Sequence, residues 1–532
     1  MNTQPFWQRH PFCIAFSIII CSTLVRIWFL WSNQLDLVYD EAQYWDWTRH
    51  MQLSYYSKGP LIAWLIKGWT SIFGDTQFGV RIGAVVNSLL TQSILLFGLG
   101  KMMKRPVAAL WAVILANTIP LFLASGLLIT TDSPLLVCWL TALFAVYAAS
   151  ERPESKLPYI IFGSVLAIGI LAKYMMLAMV GVLFFYCIGL WRHKMLQKVF
   201  VKRMALAVAA GTFVGFLPIL LWNMQNDWVG FRHVAKLAGV NKSASADPFF
   251  RFDVFPEYMG AQIGLITPWW FAFMLFGAWT AIKQGWTKKG AAALEDPAKV
   301  RQALLLSVGF WMLWGFFVFW SFHTKIYPNW SAMSYAAGIM LAAIAVEGGH
   351  VWGKTAAVIR GKRIPLVKTG VIIGIVLFIL MHSLGQLPFR SRSFNPAMRL
   401  MGWTDMSQQL QKLTDEMPNP DSVFYFSDRY GVTANLAFYA PGQPQAFCAD
   451  FGRRKAQYDL WETPQDKVGW DAIFVRHKPI TGHVLENLNA LFESVELMEY
   501  QTTHSNGYGP KYYIAILTNY NGEWPMRDSG SY

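Results

Sequence analysis

The sequence predicts a polytopic α-helical membrane protein with a C-terminal extracytoplasmic α/β domain. Three observations carry this. Of 532 residues, 54% are hydrophobic and only 14% charged, whereas soluble domains carry about 25% charged residues. The apolar residues up to about position 385 come in runs of roughly 16–22, close to the length that crosses a bilayer, which gives about 11–13 transmembrane helices. Beyond residue 385 that pattern stops, and short apolar stretches alternate with amphipathic ones. Disorder, collagen, coiled coil and a small disulfide scaffold are excluded by the same composition. Cys13, Cys21, Cys138, Cys187 and Cys448 are scattered and suggest neither a disulfide framework nor a zinc cluster.

In chain order, the candidate spans are roughly 12–31, 78–99, 107–126, 133–149, 158–173, 174–190, 205–222, 265–282, 303–322, 329–346 and 368–384. The first is read as an anchor, because no small-residue cleavage site follows it. The segment 60–74 is short and amphipathic, as an interfacial helix is. The stretch 158–190 is divided at Lys173, because a lysine at the bilayer centre is costly.

Charge between the spans sets the orientation. With the N-terminus in the cytoplasm, the inner segments, from Arg9 through Lys354 and Arg360 to Lys368, hold 21 basic and five acidic residues. The outer segments before residue 385 hold eight basic and ten acidic. This places the loops 32–77 and 223–264, the turn 323–328 and the C-terminal domain outside. Reading 158–190 as one helix would invert every later charge, so the count supports the break. The net charge of +14 is thus mostly a cytoplasmic-loop effect, and the tail, with 13 basic against 16 acidic residues, gives no nucleic-acid signal. Two domains are expected: 1–385, with its first outer loop 32–77, and 386–532. In the latter, 421–428, 472–477 and 511–518 read as strands, and 431–440 and 483–492 as helices.

The unusual polar residues lie at the outer mouths of spans. The first outer loop carries Asp40 and Glu41 beside Tyr39, Tyr44, Trp45, Trp47, Tyr55 and Tyr56, then Asp46, Arg49 and Lys58. One reading is an aromatic belt with a solvated acidic pair. The other is group transfer at a membrane surface: a carboxylate deprotonates an acceptor hydroxyl, a cation holds a leaving phosphate, and aromatic faces hold sugar and lipid. Lys58-Gly59-Pro60, entering the 60–74 helix, would offer a cation and exposed N–H groups to an anion. Asp132, in TTDSPL, suits a helix N-cap as well as a catalytic role. His323, Lys325, Tyr327 and Asn329 occupy a short turn between two apolar spans, suited either to a polar hairpin end or to neutralising a phosphate. The 223–264 loop, with Trp228, Arg232, His233, Lys236, Asp253, Glu257 and Tyr258, reads as substrate cover. No metal-ligand spacing and no Gly-rich phosphate loop occurs, which argues against an ATP-driven pump and a cytosolic nucleotide-sugar site.

The strings YDEAQYWDWTRHMQLSYYSKGPLIAWLIK, TTDSPL and HTKIYPNW resemble the integral-membrane glycosyltransferases of the C-type (GT-C) superfamily, in the branch of bacterial aminoarabinose transferases and protein O-mannosyltransferases. In the tail, DRYGVTANLAFY and GRRKAQYDLWE resemble bacterial members. The resemblance implies a GT-C fold, a polyprenyl-phosphate-linked sugar donor, inversion at the anomeric carbon and no cofactor. It puts the catalytic aspartate on Asp40 with Glu41 beside it, a donor-phosphate contact on Lys58, and the second outer acidic position on Asp132. Arg49, Tyr55, Tyr56, His323, Lys325, Tyr327 and Asn329 are the further residues expected to meet donor phosphate or lipid. Many relatives have Lys-Pro-Pro or His-Pro-Pro where this chain has Lys58-Gly59-Pro60, so a looser turn is expected here.

The implied function is transfer of a sugar from a polyprenyl (undecaprenyl) phosphate to an envelope acceptor such as lipid A, O-antigen or another glycan, at the periplasmic face of a bacterial inner membrane. The alternatives are a lipid-linked glycan flippase or transporter, a protein O-glycosyltransferase, a glycan polymerase or ligase, and a glycan-binding assembly protein. A transporter commonly shows two related halves, and none is visible.

Overall fold

The computed structural model describes residues 6–237, 250, 252–348, 356–359, 362–387, 398–504 and 507–525. Lys354 and Arg360 of the inner charge pattern, and the middle of the 223–264 loop, lie outside them. The chain forms two compact units. One comprises Met1–Trp28, Lys58–Leu61 and Ile82–His382, and the other Phe29–Ser57, Ile62–Arg81 and Ser383–Tyr532.

The first unit is helical, and the protein is a multi-pass membrane protein. Among the described residues, six helices are long and apolar enough to cross a bilayer: Pro11–Trp31, Gln77–Met102, Asp132–Glu151, Tyr174–Arg192, Lys198–Gln225 and Pro297–Trp320. A bent pair, Phe255–Ile266 and Pro268–Trp286, makes a seventh if counted as one span. Pro106–Ala116, Leu157–Ala172, Ser334–Gly348 and Leu366–His382 are apolar but shorter. So is Leu61–Phe73, whose 13 residues reach only about 20 Å at 1.5 Å per residue. It is too short to cross, as its amphipathic pattern suggested.

Two expected spans are corrected. The 107–126 run is not continuous: helix Pro106–Ala116 ends at Asn117, and Pro120 starts a new one, Pro120–Ser125. The 265–282 span is interrupted at Thr267, where the backbone takes φ 72°, ψ 146° and the two helices meet at 99°. In both places a proline supplies the physical reason, since it has no N–H to continue the ladder and clashes with the preceding turn. The division at Lys173 is present, with Lys173 in extended conformation (φ −163°, ψ 135°) after Leu157–Ala172. A short antiparallel hairpin, β1 (Ala356–Ile359) with β2 (Lys362–Pro365), was not expected.

The second unit contains a five-stranded sheet of β3 (Val423–Ser427), β4 (Ala446–Cys448), β5 (Asp471–Arg476), β6 (Phe492–His504) and β7 (Gly507–Tyr520), in the order β4-β3-β5-β7-β6. β3 is parallel to both β4 and β5, and β7 runs antiparallel to β5 and β6. Phe424, Phe426, Phe474, Ala515 and Leu517 form its core, and β3 is buried along its whole length, as the unbroken apolar run predicted. Helix Tyr430–Tyr439 packs both on β3 and on helix Tyr39–Trp47 from the first loop. That packing corrects the belt reading of the loop aromatics. Tyr44, Trp45, Trp47, Tyr55 and Tyr56 are all under 8% exposed and form core; rings with this much apolar area are driven inward wherever a protein surface can cover them.

Candidate active site

Residues 36–46 of the second unit carry four carboxylates, and three of them are buried and fully engaged. Glu41, 0% exposed, sits in the first turn of helix Tyr39–Trp47. It accepts the Val38 N–H (3.1 Å) and faces the Arg81 guanidinium (Nη2–Oε2 2.6 Å). Arg81 uses its remaining donors on the Leu35 and Asp36 carbonyls. Asp36 accepts from the Trp403 N–H (2.7 Å) and the Thr404 hydroxyl (2.6 Å). Asp46 is bound by Arg49 (2.5 Å) and the Tyr458 hydroxyl (2.8 Å). Asp40 differs: it is exposed, and the Tyr430 hydroxyl donates to its Oδ1 at 3.3 Å. The neighbouring Tyr39 hydroxyl is hydrogen-bonded to His477 Nε2.

Three residues expected to meet donor phosphate or lipid are committed to this interior. The Arg49 guanidinium spans Asp46 and the carbonyls of Gln443 and Pro444, and lies over the Trp45 ring at 4.8 Å. Tyr55 is 0% exposed, stacks on Trp47 at 4.2 Å and donates to the Trp47 carbonyl. Tyr56 is buried, its N–H given to Gln457. Tyr55 and Tyr56 have almost no outward surface, whereas the Arg49 side chain keeps 26% of its own. For the two buried tyrosines the physical reason is that a buried polar group has to satisfy its hydrogen bonds inside the protein.

The first unit brings together a different set. Helices Asp132–Glu151 and Leu157–Ala172 pack as neighbours joined by a short loop, so the start of one and the end of the other lie at the same level. Lys173 Nζ therefore reaches Asp132 Oδ1 at 2.7 Å, and Asn329 Nδ2 reaches Oδ2 at 2.9 Å. The N-cap role expected of Asp132 does not occur. Thr131 occupies that position, and the carboxylate turns to the lysine, whose charge needs a partner at an apolar helix end. Gly59 is no loosened turn either: a Cβ there would lie 2.0 Å from the Leu171 carbonyl oxygen, so the Lys58-Gly59-Pro60 segment is pinned on the end of the Leu157–Ala172 helix. Lys58 is half-buried. Lys325 pairs with Glu257 at 2.6 Å, both exposed, His323 meets the Trp320 ring edge-on, and Tyr327 lies against Trp330.

Sequence reasoning passed over Lys173 and Arg81 as site residues, although each is a charge inside an apolar run and so demands a partner. It also passed over Tyr430 and His477, for which no local signal exists. Among the described residues no three His, Cys, Asp or Glu side chains gather as a metal site. Several groups outside the spans are shifted, a histidine and an aspartate near the site among them. Burial lowers the His50 imidazole, with Asp46 opposing, and burial raises the Asp428 carboxyl, with Arg476 opposing.

An exposed carboxylate on a helix locked by a buried ion pair is equipped to take a proton from a bound hydroxyl. In the other unit, a lysine-rich helix end is equipped to meet an anion. Residues 57–222 match the dolichyl-phosphate-mannose-protein mannosyltransferase family; Lys58, Asp132 and Lys173 fall inside that stretch and Asp40 outside it. The lipid A galacturonosyltransferase RgtD of Rhizobium johnstonii is 27% identical over 336 residues, 61% of this chain and 64% of that protein, so the chain spans a little under two thirds of this relative's length. The crystal structure of ArnT from Cupriavidus metallidurans in the apo state superposes with a TM-score of 0.61 at 15% identity, covering 94% of this chain and 97% of ArnT. The same enzyme bound to undecaprenyl phosphate gives 0.59 at 16%, with the same coverage. The resemblance to the C-type integral-membrane glycosyltransferases therefore holds at two levels, in sequence over residues 57–222 for the family and in fold over 94% of the chain.

Proposed function

We propose that this protein is an inverting glycosyltransferase that moves a sugar from a polyprenyl (undecaprenyl) phosphate to an envelope acceptor such as lipid A, O-antigen or another glycan. The reading places the N-terminus in the cytoplasm and the 386–532 domain in the periplasm of a bacterial inner membrane, as the charge bias of the loops supports. The observation that carries it is the isolation of Asp40: of the four carboxylates in 36–46 it is the exposed one, on a helix fixed by Glu41 and Arg81. Similarity to a lipid A galacturonosyltransferase and the fold shared with ArnT, which binds undecaprenyl phosphate, support the donor class.

In the proposed step, the acceptor oxygen forms a bond to the anomeric carbon as its proton passes to Asp40. The bond from that carbon to the phosphate oxygen breaks, and polyprenyl phosphate leaves with the electron pair. A base opposite the leaving group is what inversion requires. Glu41 positions Asp40. Lys58 is assigned to the donor phosphate, with Asp132 and Asn329 holding Lys173 beside the Lys58 segment. His323, Lys325 and Tyr327 remain candidates for the donor headgroup. No cofactor is assigned, and transfer is expected to persist after exhaustive chelation; strict dependence on a divalent ion would overturn that part.

The test is transfer by purified protein and by Asp40→Asn, with undecaprenyl phosphate binding measured on both. Loss of transfer with retained lipid binding supports the base assignment, and wild-type turnover in the variant removes it. Wild-type protein that neither binds undecaprenyl phosphate nor transfers sugar overturns the function.

A further inference from the structure

We propose that the crevice at the carboxyl ends of β3 and β5 is an acceptor site for a saccharide bearing a phosphate or carboxylate, recognised by Arg429 and Lys478 and presented to Asp40. The inference rests on the glycosyltransferase reading for the role of Asp40, and goes beyond it in naming the acceptor's charge and the residues that read it.

Topology supplies the first argument. The chain leaves β3 for β4 on one side and then enters β5 on the other, all three parallel. Such a reversal opens a crevice outside the carboxyl ends of the strands, where α/β sheets bind ligands. Here the two flanking segments are short and polar: Asp428-Arg429-Tyr430 after β3, and His477-Lys478 after β5. The strands stay in register to their ends. Phe426 pairs with Phe474, the Ser427 hydroxyl donates to the Val475 carbonyl at 2.7 Å, and Asp428 meets Arg476 at 3.1 Å. Arg429 and His477 lie just beyond the ends of these two neighbouring strands, directly after the Asp428–Arg476 pair.

Charge supplies the second. Asp428 neutralises Arg476, but Arg429 and Lys478, both exposed, form no ion pair among the described residues. Two such cations beyond the carboxyl ends of neighbouring strands run against the acidic balance of the tail as a whole, and a guanidinium together with an ammonium suits a phosphate or carboxylate.

Proximity to Asp40 supplies the third. Tyr430, next to Arg429, donates to Asp40, and His477, next to Lys478, is bonded to Tyr39. Gly431 lets the start of the Tyr430–Tyr439 helix press on Tyr39, since a Cβ there would lie 2.6 Å from the ring. An anion seated between Arg429 and Lys478 would hold a neighbouring hydroxyl of the same sugar at the exposed Asp40 carboxylate.

The test uses the full chain in lipid nanodiscs with three probes: bis-phosphorylated lipid A, the same lipid A after phosphatase treatment, and trigalacturonate. Wild-type protein should bind at least one anionic probe about tenfold or more tighter than dephosphorylated lipid A, and the preference should weaken with salt. Preference for the first probe identifies a phosphate, and for the third a carboxylate. R429Q/K478Q should abolish the preference, and K412Q, a cation elsewhere in the domain, should keep it. Equal binding of charged and neutral probes, or a preference that survives in R429Q/K478Q, overturns the proposal. Hydrogen exchange gives a readout that needs no variant: the preferred probe should protect the amides of Tyr430 and His477, and absence of protection counts against the site. Undecaprenyl phosphate binding, measured in parallel, reports on the glycosyltransferase reading separately. Its absence in the wild type sinks that reading whatever the anion preference proves to be.

Discussion

Asp40 and Asp132, one in each unit, were both candidates from their place at the mouth of an apolar span, and the structure gives them opposite surroundings. Asp40 is exposed, with a tyrosine hydroxyl at 3.3 Å as its recorded partner; its neighbours Asp36, Glu41 and Asp46 absorb the nearby donors. Asp132 is mostly covered and held by a lysine and an asparagine. The first is placed to exchange a proton, the second to fix a cation. Carboxylates of equal sequence prominence thus divide by whether their lone pairs are already spent.

Substitutions test this contrast, beginning with the largest effect. Asp40→Asn should lower the transfer rate by about 10²–10⁴-fold, the usual contribution of a general base, with unchanged melting temperature; Asp132→Asn should lower it far less, and equal losses would erase the distinction. Glu41→Gln leaves the buried Arg81 charge unpaired and should cost about 3–5 kcal/mol in stability, read as a lowered unfolding midpoint. The double variant Glu41→Leu/Arg81→Met should recover much of it. Asp132→Asn or Lys173→Met breaks a partly exposed pair and should cost about 1–3 kcal/mol, with the two changes together costing less than their sum in a double-mutant cycle.

Two smaller effects sharpen the comparison further. His50 sits beside the Asp46–Arg49 pair with its ring stacked on Trp461, and burial holds its imidazole below the ordinary value. A histidine with a lowered folded pKa contributes stability that is present above its unfolded pKa, near 6.5, and is lost as pH falls through the folded value. Acidification below about pH 6.5 should therefore lower the unfolding midpoint, and His50→Asn should flatten that slope. Lys325→Ala removes a fully solvated pair and should change stability by about 0–1 kcal/mol, a value that measures what a surface ion pair contributes here against the buried Glu41–Arg81 pair.

Much of the architecture was legible in the chain. Apolar run lengths marked the helices but overcounted those long enough to cross, eleven expected against six, or seven with the bent pair, among the described residues. Lys173 marked a break because its charge does not tolerate the bilayer centre, and the apolar run within 421–428 marked a buried strand. The breaks at Asn117 and Thr267 were marked too, by Pro120 and Pro268, but hydropathy averages over a proline. β6 escaped notice because FESVELMEYQTTH mixes charged and apolar residues on a half-exposed strand.

The candidate site divided differently. The residue types at Asp40, Lys58, Asp132 and Asn329 stood out in sequence, since charges and amides flanking apolar runs have few structural uses. Their roles did not. Whether Arg49 meets a phosphate or Asp46, whether Tyr55 faces lipid or stacks on Trp47, and whether Asp132 caps a helix or binds Lys173 depend on groups brought near by folding.

By itself, then, the sequence determined a multi-span helical membrane protein with a C-terminal α/β domain, and a resemblance to polyprenyl-phosphate-sugar transferases. Hydrophobic patterning is local in the chain and survives being read in one dimension. Tertiary structure alone decided which carboxylate stays open, that Tyr430 and His477 reach Asp40 and Tyr39 from some 400 residues away, and that Arg429 and Lys478 follow the same ends of neighbouring parallel strands. Hydrogen-bond satisfaction and charge pairing are properties of neighbours in space, and only the fold supplies those neighbours.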